Sequence, residues 1–291
     1  MEIEKVGGKW DLGRNTTALL EDQYARQHYI CVGLDSRPDQ IVPELHRGDI
    51  FETVMAFNED VIDAVIGTGV VASIKINLAP YFAQGHMGIM ALEQSMRYIH
   101  RKDPRIVTIL DAKFSDILDT NMLYALGSFD VYQADAVTVA PLPGRLDLLP
   151  FLERKDKVTI ILCHMSGKGA PEFQDMMVGG MPFYKVIARN VSGEWNNLGN
   201  CMLVLGATYP EQIRETRQII GDMGILSPGI GKQDGDKKKT IQYGLNSQGG
   251  GLLIVNARGI IFAKKEINTF ASAAAEETIK LHETILQYAE A

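Results

Sequence analysis

The sequence predicts a single (β/α)8 TIM barrel formed by residues 1–291, and three observations lead there. Eight short apolar runs recur along the chain, most of them continuous, as strands buried on both faces of a parallel sheet require. Longer segments with helical spacing separate them. No Pro-, Gly- or Ser-rich linker and no shift in composition marks a boundary between domains. A doubly wound open sheet is the competing α/β arrangement. It would want a G-x-G-x-x-G turn after the first strand, where this chain reads GLDSRPD.

The elements follow in order. Residues 1–27 are expected to supply a helix that covers the bottom of the barrel, ahead of a first strand at 28–34. Ile50, Val54, Phe57, Val61 and Val65 then fall on one helical stripe. Further strands are expected at 71–76, 106–110, 136–139, 158–163, 201–205, 223–226 and 252–255. Ile213, Arg217 and Ile220 mark a less regular stripe, and the last helix, about 272–289, should pack Ile279, Leu281 or His282, and Ile285 inward. Two loops look long, 166–184 after the fifth strand and 227–240 after the seventh. Loops at the C-terminal ends of barrel strands are where barrel enzymes keep their chemistry. The run Lys237-Lys238-Lys239 reads as a solvated helix start.

Composition narrows the function classes. The chain is 46% hydrophobic and 22% charged, the proportions of an ordinary globular protein. A net charge of −7 argues against a nucleic-acid binder, whose phosphate backbone selects a basic face. No run of about 18 apolar residues is present to span a membrane, and residues 1–15 show no apolar core of a signal peptide. Cys31, Cys163 and Cys201 each lie in an apolar run without a C-x-x-C, which suits buried thiols in a reducing, cytoplasmic setting. The six histidines are scattered, so no metal site is expected.

Charge at the strand ends carries the chemistry. Asp111-Ala-Lys113-Phe-Ser-Asp116-Ile117 follows directly on the third strand. Strand alternation would put Asp111 and Lys113 on one face, and Asp116 is an N-cap candidate for the next helix. The first strand ends at Asp35 and the second contains Lys75, an expensive residue in a strand interior unless carboxylates pair with it. Asp111 and Asp116 are the candidates for that pairing. Gly229, Gly231 and Gly235, with Gln233 between them, make the seventh-strand loop a source of backbone N–H groups for an anion. Arg258 at the end of the eighth strand is placed for a phosphate. The bland alternatives are a salt-bridge lattice, a flexible loop and a surface arginine.

These segments together resemble the orotidine 5′-monophosphate decarboxylase family. DAKFSDI with Thr120-Asn121 matches its hallmark, and GLDSRPD, SIKINLAPYF, CHMSGKG, SPGIGKQDGD and NARGI follow the family's order. The resemblance implies a cofactor-free lyase of pyrimidine biosynthesis that converts orotidine 5′-monophosphate (OMP) to uridine 5′-monophosphate (UMP) and CO2. It implies Lys113 as electrostatic stabiliser and proton donor to C6, held with Asp111, Lys75 and Asp116 in an alternating array. It assigns Asp35 to the ribose, with Lys75 in reach of it, Ser166 to the pyrimidine edge, and Gln233 with Arg258 to the phosphate. It also implies a homodimer in which Asp116, Ile117 and Thr120 reach into the partner's site. Lys75 sets the chain apart from magnesium-dependent sugar-phosphate lyases of similar motif, because an ammonium there repels a divalent cation. A catalytically silent nucleotide-binding barrel is the reading from another class.

Overall fold

A computed structural model describes residues 14–230 and 237–290. Eight parallel strands close into a barrel in chain order: β1 (Ile30–Gly33), β2 (Val71–Asn77), β3 (Val107–Phe114), β4 (Ala136–Val139), β5 (Val158–His164), β6 (Cys201–Leu205), β7 (Gly224–Pro228) and β8 (Leu252–Asn256), which pairs back onto β1. All eight coincide with the expected apolar runs. β3 runs four residues further than expected, through Asp111 and Lys113.

The principal helices are α1 (Thr16–Ala25), α2 (Ile50–Gly67), α3 (Gly85–Lys102), α4 (Leu118–Leu126), α5 (Arg145–Leu152), α6 (Phe183–Asn190), α7 (Pro210–Ile220), α8 (Lys237–Gly244) and α9 (Phe270–Ala289). On α2 the Asp49 side chain caps Glu52 N at 2.8 Å, and Val54, Phe57, Val61 and Val65 are buried as the stripe requires, whereas Ile50 in the first turn is 38% exposed because the helix start projects beyond the barrel wall. α8 opens at Lys237, as the lysine run suggested.

α1 sits against the lower ends of the strands. Leu20 joins the barrel's inner cluster with Cys31, Ala72, Val107, Ile109 and Val158. Below it, Arg14 donates from Nε and Nη2 to the fully buried Asp135 at 2.8 Å each, and His100 reaches the same carboxylate at 3.3 Å. Thr16 Oγ1 donates to Asp135 O and Asp156 O. The barrel floor is thus closed by a helix that polar contacts clamp in place.

Three further expectations need correction. Ile279 on α9 is 42% exposed, whereas Leu281 and Ile285 are buried, because α9 turns the other side of its stripe to the barrel. Asp116 is not the N-cap of α4. That helix starts after Ile117, and the cap comes from another element, Asp147 of α5, whose Oδ1 accepts from Leu118 N at 3.0 Å. Strand alternation also fails at the end of β3. Lys113 has φ +56°, in the left-handed region, and the pairing with β4 slips between Leu110 and Phe114. Asp111 and Lys113 meet through that turn of the backbone and not through the pleat. Stacking of Phe114 on Tyr124, with ring centroids 4.1 Å apart, ties the strand end to α4.

Candidate active site

The upper rim of the barrel gathers the charged residues. Asp35 lies two residues beyond β1, Lys75 is inside β2, and Asp111 and Lys113 end β3. The parallel register sets Lys75 beside Gly33 of β1 and Asn77 beside Asp111. Lys75 Nζ is 2.9 Å from Asp111 Oδ2 and 3.6 Å from Asp35 Oδ1, and Lys113 Nζ is 2.6 Å from Asp111 Oδ1. Four strand-end side chains therefore alternate in sign: Asp35, Lys75, Asp111, Lys113.

Burial sharpens their electrostatics. The Lys75 side chain is 7% exposed, and burial alone would lower its pKa. The Asp111 and Asp35 carboxylates more than reverse that, so it is raised above the ordinary lysine value. Burial would likewise raise Asp111, yet Lys75 and Lys113 hold it well below the usual carboxylate range. Asp111 is ionised and Lys75 protonated across the neutral range. Lys113 is the open end of the array, its side chain 37% exposed at the barrel mouth.

One participant was not expected from sequence. Thr138 of β4 donates from Oγ1 to Asp111 Oδ1 at 2.9 Å and accepts from Lys113 N at 2.9 Å. It fixes the carboxylate and the left-handed lysine at once. The only sequence signal was a hydroxyl inside the apolar run Ala-Val-Thr-Val.

The pairing proposed for Lys75 is half right: Asp111 supplies it, with Asp35 in place of Asp116. Asp116 instead accepts from Ile117 N at 2.8 Å and, among the described residues, pairs with neither lysine of its own chain. Ile117 is 63% exposed and Thr120 partly so, on the outer lip of the mouth.

Ser166 stands two residues after β5, wedged between two neighbouring loops. A Cβ on Gly206 would lie 2.5 Å from Ser166 Cα, so only glycine allows that approach. Thr208 Oγ1 donates to Ser166 O at 3.2 Å. Arg258 is exposed at the start of the short helix Arg258–Ile261, directly after β8, with no ion pair to any described residue. Gln233, Gly231 and Gly235 lie outside the described residues.

Residues 28–273, which include every one of these side chains, match the orotidine 5′-phosphate decarboxylase / HUMPS family. The chain belongs to that family. Among curated relatives, the orotidine 5′-phosphate decarboxylase of Cellvibrio japonicus is 38% identical over 257 residues, 88% of this chain and 92% of the relative. That of a Janthinobacterium species is 38% identical over 286 residues, 98% of each chain. Among solved structures, Leishmania donovani OMP decarboxylase superposes with a TM-score of 0.81 at 29% identity, over 95% of this chain and 99% of that one. Leishmania donovani UMP synthase gives 0.83 at 30% identity, over 96% of this chain but 57% of that longer protein. Membership in the orotidine 5′-phosphate decarboxylase / HUMPS family makes the chain an enzyme of the carboxy-lyase kind, with a barrel shared by its structural neighbours.

Proposed function

We propose that this chain is an orotidine 5′-phosphate decarboxylase that converts OMP to UMP and CO2 on the Asp35–Lys75–Asp111–Lys113 array, within a single barrel domain. The observation that carries the reading is Lys113 Nζ, held 2.6 Å from an ionised, buried Asp111 and open to the mouth. Cleavage of the C6–carboxylate bond leaves its electron pair on C6 of the pyrimidine. A fixed ammonium beside that carbon stabilises the developing charge and donates a proton to it, and solvent then reprotonates the amine. The substrate's departing carboxylate faces Asp111, whose charge is anchored by Thr138 and Lys75. Because these dipoles and charges are set before substrate arrives, little reorganisation is left for the reaction itself.

Asp35 and Lys75 take the ribose, Ser166 the pyrimidine edge, and Arg258 with Gln233 the phosphate. Asp35 Oδ1 supports its part: it is buried and accepts no hydrogen bond from a described residue. Two ammonium groups against two carboxylates make a poor seat for a divalent cation. No cofactor enters this scheme.

A homodimer completes the site in this reading. Ile117, Leu123 and Leu146 are 63%, 61% and 70% exposed along α4 and α5, and a groove of about 410 Å³ runs between those helices past Leu118, Met122 and Leu149. An apolar face of this kind beside Asp116 and Thr120 suits a second copy. The three free, buried cysteines suit a cytoplasmic setting. Among the described residues no helix is long and apolar enough to cross a membrane.

The direct test follows OMP absorbance with excess chelator present. Turnover is expected. Activity on a sugar phosphate that chelator abolishes would replace this reading with a metal-dependent lyase, and nucleotide binding without turnover would leave a silent barrel.

A further inference from the structure

Behind the first strand end lies a polar network that the array itself does not use. Ser36, Asn58, Tyr81 and Ser95 are all fully buried. Ser36 Oγ donates to Asn58 Oδ1 at 2.5 Å, and Asn58 Nδ2 donates to Tyr81 Oη at 3.0 Å and Ser95 Oγ at 2.8 Å. Tyr81 Oη in turn donates to Leu34 O at 3.1 Å, while Gln84 Nε2 reaches Ser36 O at 3.3 Å. Ser95 Oγ donates in turn to Ala91 O at 2.7 Å within α3. Ser36, Asn58, Tyr81 and Ser95 are each paired, which is the condition for a buried network to add rigidity, while Gln84 Oε1 at its edge is buried without a partner among the described residues.

Its placement is informative. The residues on either side of Asp35 are both held: Leu34 through its carbonyl, and Ser36 through its hydroxyl and carbonyl. Tyr81 lies on the short helix Leu78–Phe82, which continues directly from β2 and therefore from Lys75. Leu34 N also donates to Lys75 O at 2.8 Å. The network thus ties the end of β1 to the end of β2, across the gap where Asp35 meets Lys75 at 3.6 Å. α3 backs it closely, since a Cβ on Gly88 would lie 2.0 Å from Tyr81 O. An apolar core of the same shape would serve stability as well.

We propose that Tyr81, Asn58 and Ser36 are positioning residues that fix Asp35 relative to Lys75 for recognition of a ribose hydroxyl. This rests on the ribose role proposed above for Asp35. The experiment measures affinities of the full-length protein for UMP and its 2′- and 3′-deoxy analogues, with kcat and KM for OMP. Tyr81→Phe keeps the ring and removes only the hydroxyl, and Ser36→Ala cuts the network at its other end.

Both variants are expected to raise KM about tenfold with kcat changed less than threefold. They should also shrink the wild-type penalty for whichever deoxy analogue Asp35→Asn ceases to discriminate. A uniform loss of affinity for all three nucleotides, or none, would overturn the proposal. If the wild type binds no UMP, the functional reading fails by itself, and amide exchange of the segment around Asp35 then decides. Exchange about tenfold faster in Tyr81→Phe, with α2 and α3 unchanged, upholds the positioning role, and equal exchange sinks it.

Discussion

In the proposed mechanism Lys113 and Arg258 make opposite kinds of contribution, and single substitutions separate them. Removing the ammonium takes away the proton donor but leaves the ribose and phosphate contacts. Lys113→Ala is therefore expected to fall to background turnover while still binding UMP in a calorimeter; normal turnover would move the donor elsewhere. The phosphate proposed for Arg258 is remote from C6, so that contact would supply binding energy that orients the substrate. Arg258→Ala should lose about two to three orders of magnitude in kcat/KM, and steady-state kinetics on OMP will show it. Asp35, Lys75, Asp111 and Lys113 were legible because a charge at the end of an apolar run has few structural uses. Thr138 was not, since a threonine inside a strand is ordinary and only the cross-strand register puts its hydroxyl between the two ends of Asp111-Ala-Lys113.

In the proposed homodimer, α4 and α5 form the element on which assembly turns. They carry the apolar face and Thr120, with Asp116 and Ile117 directly ahead of α4, and among the described residues none of the three pairs with Lys75 or Lys113. Mixing inactive Lys113→Ala chains with inactive Asp116→Ala chains should restore about a quarter of wild-type activity per total site, because half the dimers are mixed and each mixed dimer holds one intact site. Absence of recovery, with subunit exchange confirmed by mass spectrometry, would refute shared sites. Element boundaries show where local sequence falls short. The strands were legible because continuous apolar runs have one plausible use in an α/β chain. The start of α4 was not, because Asp147, distant in sequence, provides the cap. The inward face of α9 departs from expectation at Ile279 because periodicity alone does not say which edge of a broad apolar stripe meets the barrel.

At the scale of the whole molecule, ionisation sets the pH range of stability. Burial lowers the pKa of His28, His164 and His282. A depressed folded pKa contributes stability that is complete above the unfolded value, about 6.5 for histidine, and is lost as pH falls toward the folded one. Asp111, held down by Lys75 and Lys113 against its burial, and Asp135, held down by His100 and Arg14, act the same way from about pH 4 downward. Lys75 has the opposite sense: its raised pKa stabilises the fold below about 10.5 and is lost above it. Burial also pushes up the thiols of Cys31, Cys163 and Cys201, so their contribution is complete below the unfolded cysteine value of about 8.5 and lost above it. Urea unfolding should therefore show a plateau from about pH 7 to 8.5, a shallow decline below about 6.5 and a steeper one below about 4. A profile flat to pH 4 would contradict the lowered pKa of these histidines, of which His164 is fully buried and the other two half-buried.

The left-handed backbone at Lys113 has one more consequence, for evolvability. A side chain at φ +56° costs roughly 1 kcal/mol over glycine, so chemistry and foldability compete at this one position. Lys113→Gly and Lys113→Ala both abolish the donor and both leave Asp111 with one partner fewer. The glycine chain is nevertheless expected to be the more stable of the two, by about 1 kcal/mol in urea. Selection for sturdiness alone would drift this codon toward glycine. With Lys113 as the proposed proton donor, the lysine that stands there records a trade in which catalysis has been kept at the expense of the scaffold.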